Sequence, residues 1–198
     1  MLDQGAEGAC VGFAWCGELM ASPKPIRFDD ADDFARTIYR EAQHVDEWPG
    51  ENYEGTSVLA GAKVIQASGL IGEYRWAFGV DDVIDTLCAP YADGGGPVVI
   101  GIPWLDGMYE TRPSGLVDVS GSIVGGHALT LIGYHPNMLI RGEPGRHEVV
   151  KWRNSWGSIY GRRGTGYVRV DDLERLLASA YGAEACVPLA RRGRPLQP

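Results

Sequence analysis

A cysteine near the start of the 198-residue chain has the surroundings that thiol chemistry needs. Cys10 follows a loop that begins at Gln4 and contains two glycines, and it precedes an apolar run over residues 11–19. The run predicts a buried helix, which places the thiol at a helix N-terminus, where unpaired N–H groups and the helix dipole favour the thiolate. A thiolate attacks carbonyl carbon, so this segment predicts a nucleophilic cysteine.

Two later segments could supply a base and a group that orients it. His127 follows two glycines at the head of an apolar run, and Asn154 ends a second apolar run. A histidine can take a thiol proton near neutral pH, and an asparagine amide can hold the second ring nitrogen. Nucleophile, base and orienting amide therefore occur in the order Cys, His, Asn.

The three local patterns together resemble those of the papain-like cysteine peptidases. The family's glutamine, five intervening residues and cysteine correspond to Gln4 and Cys10. Its Gly-His-Ala and Asn-Ser-Trp-Gly segments correspond to residues 126–128 and 154–157. The resemblance extends over about residues 2–189, although the middle third matches mainly in the layout of its elements. Compact bacterial and phage-encoded members are the most similar.

The resemblance implies a role for each residue of the site. Cys10 is expected to attack the substrate, His127 to carry its proton, and Asn154 to orient the histidine. Gln4 and the backbone N–H of Cys10 are expected to form the oxyanion hole. Without the resemblance, each residue also has a structural interpretation: a buried thiol, two strand-end residues and a loop glutamine.

Two further residues are expected to contact the substrate or protect the site. Trp156 would cover the Asn–His hydrogen bond from water, and packing in the core is a compatible role. Gly55 precedes a predicted helix and, by resemblance, would hydrogen-bond the substrate backbone; a plain turn is the alternative. No metal and no cofactor are expected, and the predicted partner is a peptide or protein substrate.

The sequence departs from the family pattern at two positions next to Cys10. Glu7 stands where secreted relatives have a cysteine that forms a disulfide, and Val11 stands where the family usually has an aromatic residue. Nine residues precede Cys10, fewer than an inhibitory pro-segment requires. The remaining cysteines show no zinc spacing, so we expect buried free thiols at Cys16, Cys88 and Cys186.

Hydrophobic periodicity predicts an α+β fold with two lobes. Residues 1–93 are expected to form a helical lobe with helices over 11–19, 29–48, 57–68 and 80–88. Ser57 or Thr56 is expected to cap the third helix, and Asp81 the fourth. Residues 94–190 are expected to form a β-rich lobe, a sheet or an open barrel. Its strands are predicted over residues 97–102, 127–134, 148–153, 167–170 and 185–189, with a helix over 171–179. The arginines of residues 191–198 are expected to lie in a disordered, solvated tail.

Composition excludes several classes of function. The net charge of −8 gives no general attraction to nucleic acid or to an anionic membrane. No apolar segment reaches membrane-spanning length and no secretion signal is visible, so we expect a cytoplasmic protein or a component of a virion or another assembly. The oligomeric state stays open. Besides a peptidase, two alternatives stay open: a papain-fold amidase or acyl transferase, and a structural protein that kept the fold.

Overall fold

The computed structural model describes residues 1–48 and 53–192 as a six-stranded antiparallel sheet with helices on both faces. The helices are α1 (Cys10–Leu19), α2 (Ala31–Val45), α3 (Val58–Ala67), α4 (Gly79–Cys88) and α5 (Val170–Leu177). The strands are β1 (Glu73–Trp76), β2 (Val98–Leu105), β3 (Ile123–Leu139), β4 (Arg146–Arg153), β5 (Thr165–Arg169) and β6 (Glu184–Leu189). Their order across the sheet is β1-β6-β2-β3-β4-β5. The sheet is open, with β1 and β5 at its edges, and does not close into a barrel.

Helix α1 is the central element of one face of the sheet. Every residue of α1 after Cys10 is buried, as its apolar sequence predicts, because α2, α3 and the sheet surround it. Gly12 lets α2 come close: a Cβ at this position would lie 2.2 Å from the Ala35 carbonyl oxygen. Helix packing therefore fixes the position of the segment that begins with Cys10.

The ends of the other helices follow local hydrogen bonds. Ser57 caps α3 as predicted, since its side chain accepts from the Ala60 N–H at 3.1 Å. The cap predicted at Asp81 is wrong: α4 begins at Gly79, and the Asp82 carboxylate accepts from the Phe78 N–H at 2.8 Å.

The two largest hydrophobic cores of the described residues lie on opposite faces of the sheet. One contains α1, α2 and α3 with the sheet residues Val99, Ala128 and Cys186. The other contains α4 and α5 with residues of the opposite face, among them Val98 and Leu129. The sheet itself includes β1, a strand from the first half that the sequence analysis missed. Helix α4 packs in the second core, whereas β1 pairs with β6 and packs Tyr74 and Trp76 against the first core. The division into two lobes after residue 93 stays a prediction.

The C-terminal segment also differs from its prediction. Arg191, expected in a solvated tail, is 5% exposed and forms an ion pair with the fully buried Glu18 of α1. Its guanidinium also donates to the carbonyls of Ala21 and Lys24 at 2.7 and 2.9 Å. Residues 193–198 of the predicted tail lie outside the described residues.

The cysteines are free thiols, but their burial differs. Cys16 and Cys186 are buried, as predicted, whereas Cys88 at the end of α4 is exposed. Cys88 ends a helix whose buried side is formed by Val80, Val83 and Thr86. Its thiol therefore lies outside the core.

Candidate active site

The first residue of α1 lies against the strand that carries His127. The Thr130 hydroxyl of β3 donates to the Ala14 carbonyl at 2.7 Å, which joins the two elements within the core. The N–H of Ala128, next to His127 in the chain, is close enough to the Cys10 thiol to lower its pKa. Cys10 and His127 consequently line the same cavity.

His127 and Asn154 meet through a buried hydrogen bond. The distance between His127 Nε2 and Asn154 Oδ1 is 2.7 Å, and the two residues are 7% and 1% exposed. The Asn154 N–H donates to the Gly164 carbonyl at 2.9 Å, which fixes the chain just after β4. Since Nε2 donates to the amide oxygen, the neutral ring has its free lone pair on Nδ1.

Two tryptophans enclose the histidine ring. Trp104 and Trp156 place their ring centres 4.6 and 4.8 Å from that of His127. Tyr109 stacks on Trp156, with ring centres 5.5 Å apart. The contacts place Trp156 over His127, where its ring can exclude water.

Burial controls the charge of both Cys10 and His127. Removal from water raises the pKa of the Cys10 thiol above its ordinary value, although the N–H groups of Ala128, Val11 and Cys10 itself act in the opposite direction. Burial lowers the pKa of His127 to about 4, opposed by the bond to Asn154. Burial therefore favours the neutral form of both groups. This effect opposes that of the helix N-terminus, which favours the thiolate, so the predicted thiolate stays a prediction.

Gln4 is joined to this group of residues through Ser155, the neighbour of Asn154. Its N–H donates to the Ser155 carbonyl at 2.8 Å, and its Oε1 accepts from the Ser155 hydroxyl at 2.6 Å. Its Nε2 donates one hydrogen to the Glu7 carbonyl at 2.8 Å. A side-chain amide nitrogen carries two hydrogens, so one remains for another acceptor.

Gly55 lines the cavity, but its backbone polar groups are already engaged. Its N–H donates to the Tyr39 hydroxyl at 3.2 Å, and its carbonyl accepts from Gln43 Nε2 at 3.3 Å. Its φ of 97° favours glycine. A substrate that paired with Gly55 would have to compete with these internal hydrogen bonds.

The cavity is a cleft of about 660 Å³ between the two halves of the chain. One wall contains Trp48 and residues 54–58, and the other contains residues of β2 and β3 together with 181–184. Among residues 1–48 and 53–192, no group of three or more His, Cys, Asp or Glu side chains could hold a metal ion. None of the helices in these ranges is long and apolar enough to cross a membrane.

Comparison with solved structures identifies the architecture. Xylellain, a cysteine protease from Xylella fastidiosa, superposes with a TM-score of 0.63 at 17% identity, covering 96% of this chain and 82% of that one. Bromelain from Ananas comosus, solved with the E64 inhibitor, has a TM-score of 0.57 at 15% identity, with 96% and 93% coverage. The fold is papain-like.

A longer protein with the papain-like fold gives the same result. Digestive procathepsin L 3 of Tenebrio molitor larval midgut has a TM-score of 0.61 at 15% identity, and the match covers 95% of this chain and 65% of that one. No protein-family model and no curated protein matches the sequence.

The structure brings together all four residues of the predicted catalytic group and adds two. Ser155 binds Gln4 through its hydroxyl and Asn154 Oδ1 through its N–H, at 2.6 and 2.8 Å. In the sequence, only the position of Ser155 within the Asn-Ser-Trp-Gly segment indicated that it belongs to the site. Trp104 lies beyond the strand predicted over residues 97–102, and its contact with His127 depends on the pairing of β2 with β3.

Proposed function

We propose that this chain is a cysteine peptidase that hydrolyses peptide bonds through an S-acyl intermediate on Cys10. The observation that carries the proposal is the buried 2.7 Å bond between His127 and Asn154, in the cleft that also contains the Cys10 thiol. A thiol, an imidazole and an orienting amide are the groups that nucleophilic acyl transfer requires. The cysteine proteases that share the fold support the same chemistry.

Acylation begins when the substrate carbonyl binds over Cys10. His127 Nδ1 takes the thiol proton while Sγ forms a bond to the carbonyl carbon, and the carbonyl oxygen gains the negative charge. The second hydrogen on Gln4 Nε2 and the Cys10 N–H donate to this oxygen. The C–N bond then breaks as His127 gives its proton to the leaving amine, and the acyl group remains on sulfur.

Deacylation repeats these steps with water. His127 Nδ1 takes a proton from water, whose oxygen attacks the thioester carbonyl. The tetrahedral intermediate expels the Cys10 sulfur, which recovers the proton. Asn154 keeps the ring in one orientation through both half-reactions, and Trp156 excludes water from the hydrogen bond that does so.

The test compares peptide hydrolysis with selective labelling of the thiol. We expect the purified chain to cleave casein or a fluorogenic peptide, and Cys10→Ser to abolish cleavage. An epoxide inhibitor of the E64 type should label Cys10 far faster than Cys16, Cys88 or Cys186, as mapped by peptide mass spectrometry. Cleavage of peptidoglycan but not of peptides would assign the nucleophile to a cell-wall amide instead. Equal labelling of all four thiols would refute the assignment of Cys10.

A further inference from the structure

The loop that contains Gln4 is held at both ends by one side chain of α2. Arg36 Nε donates to Glu7 Oε2 at 3.1 Å, and Arg36 Nη2 donates to the Asp3 carbonyl at 3.4 Å. Asp3 and Glu7 flank Gln4 in the chain. The guanidinium carbon also lies 5.3 Å from the centre of the Phe13 ring in α1. Arg36 therefore joins the loop to two helices.

Two hydrogen bonds orient the Gln4 amide, one with the Ser155 hydroxyl and one with the Glu7 carbonyl. Gln4 Nε2 donates to the Glu7 carbonyl at 2.8 Å, so a shift of Glu7 would turn the remaining hydrogen on Nε2. The backbone between them includes Gly5, whose φ is 62°. A glycine at such a position gives the loop little stiffness of its own. External contacts must hold the loop in one conformation.

The contact occurs at a position where the chain departs from its relatives. By resemblance, secreted relatives have a disulfide cysteine three residues before the nucleophile, and this chain has Glu7. The side chains of Arg36 and Glu7 are 31% and 36% exposed. An ion pair and a backbone hydrogen bond thus hold the loop in this chain.

We propose that Arg36 is a positioning residue for catalysis, which clamps Asp3 and Glu7 and so directs the Gln4 amide toward the oxyanion. The inference rests on the proposed function, because an oxyanion forms only if Cys10 attacks a carbonyl. Arg36 acts through Gln4 and does not contact the substrate. Its loss should therefore lower kcat more than it changes KM.

The first experiment measures two reactions of the same thiol in Arg36→Met. Peptide hydrolysis passes through an oxyanion, whereas alkylation by iodoacetamide does not. We expect kcat to fall on the order of tenfold, less than the roughly 10²–10³-fold fall for removal of an oxyanion donor, with the alkylation rate near that of wild type. Arg40→Met is the matched control: Arg40 is exposed on the next turn of α2, and its replacement should change neither rate.

A double-mutant cycle separates positioning from a general structural role. If Arg36 acts only through Gln4, Arg36→Met should cause little further loss of kcat in the Gln4→Ala background. An equal loss in both backgrounds would overturn the proposal, because it would mean that Arg36 acts independently of Gln4.

A second variant distinguishes loss of the clamp from misfolding. Glu7→Gln leaves the contact between Arg36 and Phe13 in place, and it should lower kcat in the same direction as Arg36→Met. Unchanged kcat in both variants refutes the clamp. If the wild-type chain hydrolyses no peptide, the proposed function fails, and hydrogen exchange decides the clamp. Both variants should then accelerate hydrogen exchange at the backbone N–H of residue 7, which in the wild type donates to the Gln4 carbonyl at 3.4 Å. Unchanged exchange would overturn the inference.

Discussion

Desolvation favours the uncharged forms of two side chains in this site. Trp104 and Trp156 remove His127 from water, and burial beside β3 does the same for the Cys10 thiol. A neutral thiol and a neutral imidazole carry the same total number of protons as a thiolate and an imidazolium. The pair can therefore convert by moving one proton, once a bound substrate stabilises the charge. The helix N-terminus at Cys10 assists that step.

We expect the pH profile of kcat/KM to report this pair. Because the pKa of His127 is lowered to about 4, activity should persist well below pH 6.5 and decline near pH 4 as the base becomes protonated. The bond to Asn154 raises the pKa of His127, so Asn154→Ala should move the acid limb to lower pH while it reduces kcat. An NMR titration of the imidazole in both proteins checks the direction. An acid limb near pH 6.5 in the wild type would show that the ring is not desolvated.

The candidate catalytic residues could be predicted from the sequence, because each lies within a recognisable motif. Gln4, Cys10, His127 and Asn154 each stand in such a segment, and the structure brings all four together. Arg36 could not be predicted, because no local pattern marks it. Its contacts with Asp3 and Glu7 span 33 and 29 residues and depend on how α2 packs against α1.

At the scale of elements, the close approach of α1 and α2 determines where the thiol lies. Gly12 faces α2, and a Cβ there would lie 2.2 Å from the Ala35 carbonyl oxygen and 2.8 Å from the Tyr39 nitrogen. These are backbone atoms of a packed helix, so they cannot move aside without shifting α2. The start of α1 would shift with them.

Gly12→Ala should therefore destabilise the fold, although alanine is the better helix former. Overpacking typically costs about 1–3 kcal/mol, whereas the gain in helix propensity is about 1 kcal/mol. We expect a lower urea midpoint of unfolding and slower alkylation of Cys10. Gly133→Ala in β3 is the control, because no atom lies within 4 Å of its Cβ position. Equal midpoints for the two variants would contradict the packing argument.

Helices were more predictable than the sheet, for a physical reason. The periodicity of a helix is local, and α1, α3 and α5 lie within one or two residues of their predicted bounds. Helix α2 ends at Val45, three residues before its predicted end. Strand β1 has only four residues, two of them charged, and it forms by pairing with β6 more than a hundred residues away. Whether the sheet closes depends on strand order, which no local pattern contains.

At the scale of the whole molecule, the Glu18–Arg191 pair joins the first helix to the C-terminal segment. The two side chains are 0% and 2% exposed. Burial raises the pKa of Glu18 to about 7 even though the guanidinium acts in the opposite direction. An unpaired charge at this depth would be costly, so each residue of the pair depends on the other.

Arg191→Ala should lower the free energy of unfolding by about 3–5 kcal/mol at pH 8, because it leaves the Glu18 carboxylate buried without a partner. The folded-state pKa of Glu18 lies above its ordinary value of 4.5. Its protonation therefore contributes stability below pH 4.5 that is lost as the pH rises through 7. The free energy of unfolding that Arg191→Ala loses relative to wild type should be smaller at pH 5 than at pH 8. Urea unfolding at both pH values checks this, with Arg192→Ala, an exposed neighbour, as the control. If the loss of unfolding free energy does not depend on pH, the buried Glu18 carboxylate is not its cause.

The place of β6 between β1 and β2 has a consequence for the order of events during synthesis. A ribosome delivers Cys10 before His127 and Asn154, and the residues of β6 follow all three. Until residues 184–189 emerge, β1 and β2 have no strand to connect them, and the cleft wall over residues 181–184 is missing. Under the proposed function, a growing chain thus contains Cys10 before it contains the cleft that a substrate would occupy.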